Sequence, residues 1–260
     1  MQRAASLLST RSFIRSASMA ATASSGVVLV NNPICPFGAR ASILASEHLK
    51  DGFEFKEASL SDKPAWFSEI YAKAIGHDPS SNGKVPVLQD GDFVICESAI
   101  VAEYLDRKYA ASPETRLLSD DPKERARAQL FVEMWASKVY GLFYKLLWAA
   151  PADRAEITSN YLALLKQFND ALVAESADGP FAFGDRFSWP DAMVFPWFGR
   201  FSAIKVHRGF EIPDTADYAR LHKWIAACKA HPAVAVNARP DEYYAEGYAS
   251  YAAKGDAAAK

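Results

Sequence analysis

The pattern of apolar and polar positions divides the chain into two parts with different secondary structure. In the first part, short apolar runs at residues 27–30 and 53–60 are typical of strands, and a segment of helical periodicity follows each of them. Two further apolar runs flank Asp90-Gly91, which is a strong signal for a β-hairpin, and a helix is predicted at residues 98–109. The predicted order over residues 26–111 is therefore β-α-β-α-β-β-α, an α/β layer.

The second part, residues 123–260, follows a predicted linker at residues 112–122 that contains two prolines. Apolar residues then recur at helical spacing in four segments, 124–148, 152–176, 191–204 and 217–230, and no strand pattern interrupts them. This pattern predicts an all-helical bundle. The alanine-rich tail from Tyr248 onward is expected to fray.

Composition narrows the functional classes. The 260 residues include 29 Lys and Arg against 31 Asp and Glu, a balance that argues against a nucleic-acid-binding protein. The sequence contains no run of 18 apolar residues, so no membrane span is predicted. The three cysteines form no CxxC pair and the five histidines have no ligand spacing, so neither a disulfide scaffold nor a metal site is expected.

The first 25 residues differ from the rest of the chain. They contain three arginines and seven serines, and no acidic residue precedes Glu47. This composition predicts an organelle transit peptide at residues 1–25, with a disordered tail as the alternative. The choice between mitochondrion and plastid stays open, and Met19 could start a cytosolic form.

Cys35 is the candidate nucleophile. It directly precedes Pro36 at a predicted strand-to-helix turn, and the positive end of a helix lowers the pKa of a thiol placed there. The alternative is a small buried apolar side chain. Gly38 stands three residues on, where a second cysteine would allow an internal disulfide. Any mixed disulfide on Cys35 therefore has to be released by an external thiol.

Two dipeptides near the hairpin are candidate ligand contacts. A cis bond before Pro86 would present the backbone of Val85 to an extended peptide, although a trans bond is the commoner case. Ser98 is the expected N-cap of its helix, and with Glu97 it could bind a group that carries both a carboxylate and an ammonium. Simple helix capping is the alternative for this pair.

Five motifs follow one another along the chain. They are Cys35-Pro36-Phe37, Lys63-Pro64-Ala65-Trp66-Phe67, Val85-Pro86-Val87-Leu88, Glu97-Ser98-Ala99-Ile100, and Ser188-Trp189-Pro190-Asp191 with Phe195-Pro196-Trp197-Phe198. Together they resemble omega-class glutathione transferases, over about residues 27–224. Ser188 and Asp191 also have the spacing of a capping box for the helix that they begin.

The resemblance implies a thioredoxin-like α/β domain that binds glutathione, followed by the all-helical domain. Cys35 would form the mixed disulfide with glutathione, and no metal is implied. The remaining expected contacts are Phe37 and Lys63 beside the peptide, the Val85 backbone next to a cis Pro86, and Glu97 with Ser98 at the γ-glutamyl group. Lys84 competes with Lys63 for the glycine carboxylate, because residues 68–84 form a longer connection than is usual in the family.

The resulting functional hypothesis is a glutathione-dependent thiol transferase that reduces glutathionyl mixed disulfides, and by resemblance dehydroascorbate. Conjugating glutathione transferases use a Tyr or Ser hydroxyl instead, and no such residue lies between Val30 and Cys35. The alternatives are a non-enzymatic relative of the intracellular chloride channel type and a lyase for glutathionyl quinones or aryl ethers. The expected partners are a small disulfide or electrophile and, from the fold, a second copy of the chain. Aromatic residues 131–148 of the first helix of the bundle fit either core packing or an acceptor pocket.

Overall fold

The computed structural model describes residues 26–77 and 83–257. The α/β part is built on a mixed four-stranded sheet with the order β2-β1-β3-β4. The strands are β1 (Val27–Asn31), β2 (Glu54–Glu57), β3 (Val87–Asp90) and β4 (Phe93–Cys96). β1 is parallel to β2 and antiparallel to β3, and β3 forms the predicted hairpin with β4. Gly91 lies in this hairpin turn with φ of 60°, a conformation that favours glycine.

Three helices complete this part: α1 (Pro36–His48), α2 (Ala65–Ile75) and α3 (Ser98–Tyr109). The predicted order β-α-β-α-β-β-α is confirmed, although β2 is shorter than the expected 53–60 and is an exposed edge strand. Within the long 68–84 connection, α2 continues to Ile75 and ends at Gly76, which has φ of 78°. The loop expected from Asp78 to Asn82 lies outside the described residues.

The described residues of the second part contain seven α-helices and no extended strand, with one isolated β-bridge between Phe181 and Gly184. Its helices are α4 (Pro122–Leu147), α5 (Arg154–Glu175), α6 (Trp189–Phe198), α7 (Phe201–Arg208), α8 (Ala219–Ala230), α9 (Pro232–Ala235) and α10 (Asp241–Ala257). The helices predicted at 124–148, 152–176 and 217–230 are confirmed within about two residues at each end. The helix predicted at 191–204 is instead two helices, because the chain leaves helical geometry at Gly199 and Arg200. None of the helices in the described residues is long and apolar enough to cross a membrane.

The prediction that the tail frays from Tyr248 is wrong. This segment is the second half of α10, and Tyr248 is only 1% exposed. Gly255 lets α10 approach the end of α4 closely, because a Cβ there would lie 2.7 Å from the carbonyl carbon of Trp148. Arg208 fixes the contact by donating hydrogen bonds to the carbonyls of Leu147 and Ala252, at 2.5 and 2.7 Å.

Helix α6 is buried along its whole length and packs against α1 and α4. Its predicted capping box is confirmed, since Asp191 accepts hydrogen bonds from the backbone and the hydroxyl of Ser188 at 2.8 and 2.7 Å. The second oxygen of Asp191 accepts from the Ala182 amide and the Trp224 indole. These partners satisfy a fully buried carboxylate and tie the start of α6 to α8.

One large apolar core runs through both parts of the molecule. It includes Leu29 and Leu88 of the sheet together with Phe143 and Trp197 of the helical part. A smaller cluster on the other face of the sheet packs α2 against β3, and Cys35 lies at its edge. The sheet, α1 and α6 therefore form a continuous scaffold around the Cys35 turn.

Candidate active site

Cys35 occupies the turn between β1 and the N-terminus of α1. It is the N-cap of α1, and the Gly38 amide donates to its Sγ at 3.4 Å. Gly38 also has a packing role, because a Cβ at this position would lie 1.7 Å from Oδ1 of Asn31. The monothiol turn is thus built so that a larger residue three positions after Cys35 would collide with the end of β1.

The expected lowering of the Cys35 pKa is wrong for the protein without a bound ligand. Burial raises the pKa of this thiol, and that effect outweighs four opposing contributions. The Gly38 amide, Arg200, the Phe37 amide and Arg40 lower the pKa, in that order of size. The helix end thus acts as predicted, but the pattern of residues did not reveal how strongly the helical part covers the thiol.

Two buried arginines beside Cys35 were not identified from the sequence. Arg40 of α1 donates to the Met193 carbonyl of α6 at 2.9 Å, and its guanidinium lies 4.8 Å from the Trp197 ring. Burial lowers its pKa to about 10. Arg200, between α6 and α7, donates to carbonyls of the Cys35 turn. Both arginines join positions more than 150 residues apart, so no local pattern marks them.

Five residues line a cavity of about 150 Å³ at the ends of β3 and β4. They are Phe37, Lys84, Val85, Glu97 and Ser98. The Val85-Pro86 peptide bond, whose isomer the sequence left open, is cis. The structure therefore brings together five of the candidate glutathione contacts, including the alternative lysine.

Lys63 is placed elsewhere. Its ammonium donates to the Leu60 carbonyl at 3.2 Å, and it is not among the residues that line the cavity. Lys84 lines the cavity directly beside Val85. The geometry favours Lys84 for the carboxylate contact, and the assignment of either lysine stays a prediction.

Ser98 is not the N-cap that the sequence suggested. Helix α3 begins at Ser98 itself, and Glu97 precedes it with φ of 71°, in the left-handed region that favours glycine. The Ser98 hydroxyl accepts from Arg40 at 3.4 Å, while the Glu97 side chain is exposed at the cavity. Helix capping therefore does not explain this pair, and the exposed Glu97 carboxylate can contact a ligand in the cavity.

The aromatic residues of α4 divide between packing and surface. Tyr140 packs against Phe37 and Trp197, with ring centroids 5.6 and 5.5 Å away. Tyr144 stacks on Trp148, which is 49% exposed and stacks in turn on Tyr251 of α10. Burial raises the pKa of Tyr144 to about 12, with a contribution from the nearby Cys35. An aromatic surface thus lies at the end of α4, on the Cys35 side of the helical part.

Comparisons with known proteins agree with this architecture. The family model for the glutathione S-transferase N-terminal domain matches residues 29–113, and the model for the C-terminal domain matches residues 141–227. Probable glutathione transferase omega-2 of Caenorhabditis briggsae is 31% identical over 223 residues, which cover 82% of this chain and 81% of that protein. Glutathione S-transferase omega-1 of Sus scrofa is 30% identical over 205 residues, covering 77% and 75%.

Solved structures have the same fold. The tau-class glutathione S-transferase of mango, Mangifera indica, has 25% identity and a TM-score of 0.75, covering 88% of this chain and all of that one. Glutathione transferase Omega 3C of Trametes versicolor has 25% identity and a TM-score of 0.72, covering 88% and 91%. With a thioredoxin-like domain, an all-helical domain and omega-named relatives at about 30% identity, this chain belongs to the glutathione transferase family.

Proposed function

We propose that this protein is a cysteine-type, omega-like glutathione transferase that reduces glutathionyl mixed disulfides, and dehydroascorbate as a related acceptor. The observation that carries the proposal is the Cys35 thiol at the N-terminus of α1, which packs against the apolar cluster that contains Val85, while Val85, Glu97 and Ser98 line the cavity. Glutathione is the cosubstrate of the family. A thiol at this helix end attacks disulfides, whereas a hydroxyl would only hold the glutathione thiolate.

The reaction has two thiol–disulfide exchanges. The Cys35 thiolate attacks the glutathionyl sulfur of the substrate, the substrate disulfide breaks, and the released thiolate takes up a proton. Free glutathione, as thiolate, then attacks the mixed disulfide on Cys35 and leaves as glutathione disulfide. The second step has to use an external thiol, because Gly38 stands where a resolving cysteine would lie.

The decisive experiment compares the wild type with Cys35→Ala on the mixed disulfide of glutathione and 2-mercaptoethanol. Loss of the nucleophile should lower kcat/KM about a thousandfold or more. Formation of glutathione disulfide, coupled to glutathione reductase and NADPH, measures the rate. Cys96→Ala is the matched control, because Cys96 is also half-buried at the same apolar cluster and should leave the rate nearly unchanged. A Cys35→Ala variant as active as the wild type would contradict the proposal.

The same samples separate the alternatives. A lyase for glutathionyl quinones or aryl ethers would act on those adducts and leave the mixed disulfide unchanged. The stack of Tyr144, Trp148 and Tyr251, in which Trp148 is exposed, keeps this candidate in the test, because planar aromatic acceptors stack on such surfaces. A non-enzymatic relative would show no activity on either substrate, and failure to bind immobilised glutathione would favour it.

Two expectations stay proposals. The transit peptide at residues 1–25, with import into a mitochondrion or plastid, lies outside the described residues. The homodimer expected from the fold is consistent with exposed apolar side chains on β4, α3 and α4, namely Phe93, Ile100, Leu130 and Met134.

A further inference from the structure

The backbone of the Cys35 turn is bound by an arginine from the other half of the molecule. Arg200 donates from Nε to the Ile34 carbonyl at 2.8 Å, and from one terminal nitrogen to the carbonyls of Pro33 and Cys35 at 2.8 and 3.3 Å. Its other terminal nitrogen donates to the Pro196 carbonyl at 2.7 Å. One planar group thus holds three consecutive carbonyls of the turn and one carbonyl of α6.

These contacts orient the peptide groups on both sides of Cys35. The carbonyls of residues 33–35 face the guanidinium, while the Gly38 amide faces Sγ. Without Arg200, the Pro33 carbonyl would lose this donor, whereas the Ile34 and Cys35 carbonyls would keep the Tyr248 hydroxyl at 3.3 Å and the Ala39 amide at 3.0 Å as donors. A buried carbonyl that loses its donor also carries a desolvation cost.

Arg200 is a buried cation. Among the described residues its nitrogens form no ion pair, although the residue is only 4% exposed. The ring of Tyr244 lies 4.9 Å from its guanidinium carbon. A buried cation of this kind gains most from an anion that forms next to it, and the Cys35 thiolate is such an anion.

Other titratable groups also face Cys35, from each helix packed around it. Arg40 of α1 lowers the pKa of Cys35, less strongly than Arg200 does. Tyr144 of α4 and Tyr248 of α10 interact with it electrostatically, and burial keeps both phenols neutral by raising their pKa values. The apolar cluster on the sheet side is formed by Val30, Ala58, Phe67, Val85 and Val87, which carry no charge. Arg200 is therefore the cation with the largest effect on the thiol.

We propose that Arg200 is a positioning residue of the Cys35 site: it holds the carbonyls of the turn and supplies the positive charge that stabilises the thiolate. The proposal rests on the function proposed above only in taking Cys35 as the reactive group. Its test measures the thiol itself and needs no glutathione. Failure of the thiol-transferase assignment would therefore leave the result for Arg200 intact.

The test is the rate of alkylation of Cys35 by iodoacetamide between pH 6 and pH 10, quantified on the Cys35 peptide by mass spectrometry. Arg200→Met removes both the positive charge and the planar set of guanidinium donors. The rate of Cys35 alkylation at pH 7.5 should fall about three- to tenfold, and its pH profile should move to higher pH, as expected for the loss of a neighbouring cation. Arg200→Lys keeps the charge but lacks the planar set of guanidinium donors, so its pH profile of alkylation should lie between those of the wild type and Arg200→Met.

Arg208→Met is the matched control. Arg208 also has a buried side chain, pairs with Asp256 at 3.3 Å and binds backbone carbonyls of Leu146, Leu147 and Ala252, none of which belongs to the Cys35 turn. It should lower the melting temperature but leave the alkylation profile of Cys35 unchanged. A wild-type profile in folded Arg200→Met, or an equal shift in Arg208→Met, would overturn the proposal. If Arg200→Met does not fold, the decision passes to Arg200→Lys, where a wild-type profile would overturn it and a shifted one would support it.

Discussion

At the scale of single residues, opposing effects set the pKa of Cys35: burial raises it, and two backbone amides and two arginines lower it. Burial wins in the protein without a bound ligand, so the thiolate fraction at neutral pH is small. Reactivity should consequently increase as the pH rises toward the raised pKa.

The two candidate lysines give a direct prediction. Lys84→Ala should raise the Kd for glutathione about fivefold, because a lysine at the cavity edge is lost as a carboxylate partner. Lys63→Ala is its matched control and should change the Kd less than twofold, since Lys63 binds the Leu60 carbonyl away from the cavity. Isothermal titration with glutathione measures both values. The reverse order of effects would restore Lys63 as the carboxylate contact.

Short motifs predicted much of the candidate site, because Cys35, Val85, Glu97 and Ser98 stand at junctions where a strand meets a turn or a helix. Such junctions present backbone groups, and their residues are close to one another in sequence. Arg200 could not be found in this way. Its partners lie about 165 residues earlier in the chain, and a single arginine in an apolar stretch does not indicate which residues it binds.

At the scale of elements, periodicity predicted helices where large apolar residues repeat, as in α4 and α5. It failed at α10, whose buried positions are tyrosines and small residues: Tyr244, Ala245, Tyr248, Ala252 and Gly255. A helix of this composition is stabilised by close approach of its backbone to a neighbour. It also failed at Gly199-Arg200, where the apolar pattern continues although the chain changes direction.

A glycine substitution tests the close approach of α10. Gly255→Ala should destabilise the protein by about 1–3 kcal/mol, because the new Cβ would lie 2.8 Å from the Ala149 oxygen of the α4 end. Gly141→Ala, in the exposed middle of α4 with nothing within 4 Å of the new Cβ, should stabilise it by about 0.5–1 kcal/mol. Urea unfolding of both variants measures the difference. Equal effects of the same sign would show that α10 does not pack as described.

At the scale of the whole molecule, the two halves share one apolar core and are joined by buried polar contacts. Asn237 donates to Ser46 of α1 at 2.9 Å, and Arg40 and Arg200 make further bonds across the same boundary. Neither half can lose its structure without exposing the surface of the other. We therefore expect a single cooperative unfolding transition.

Two cysteines report on the halves separately. Cys96 ends β4 and Cys228 is fully buried in α8. Pulse alkylation across a urea series should label both with the same midpoint, to within about 0.3 M, if the halves unfold together. Quantification of the two peptides by mass spectrometry gives the midpoints. Labelling of Cys96 at clearly lower urea than Cys228 would show that the α/β part unfolds first.

The bond between Arg200 and the Cys35 turn also has a consequence for recombination. An exchange of helical halves between relatives, whether by engineering or by gene fusion, would transfer the acceptor surface and the support of the nucleophile together. The nucleophile of the recipient α/β half would be supported only if the incoming helical half carried an arginine at the same break between two helices. In chimeras joined at the linker, the reactivity of the nucleophile should accordingly depend on whether the incoming half carries that arginine, and not on the overall similarity of the two parents.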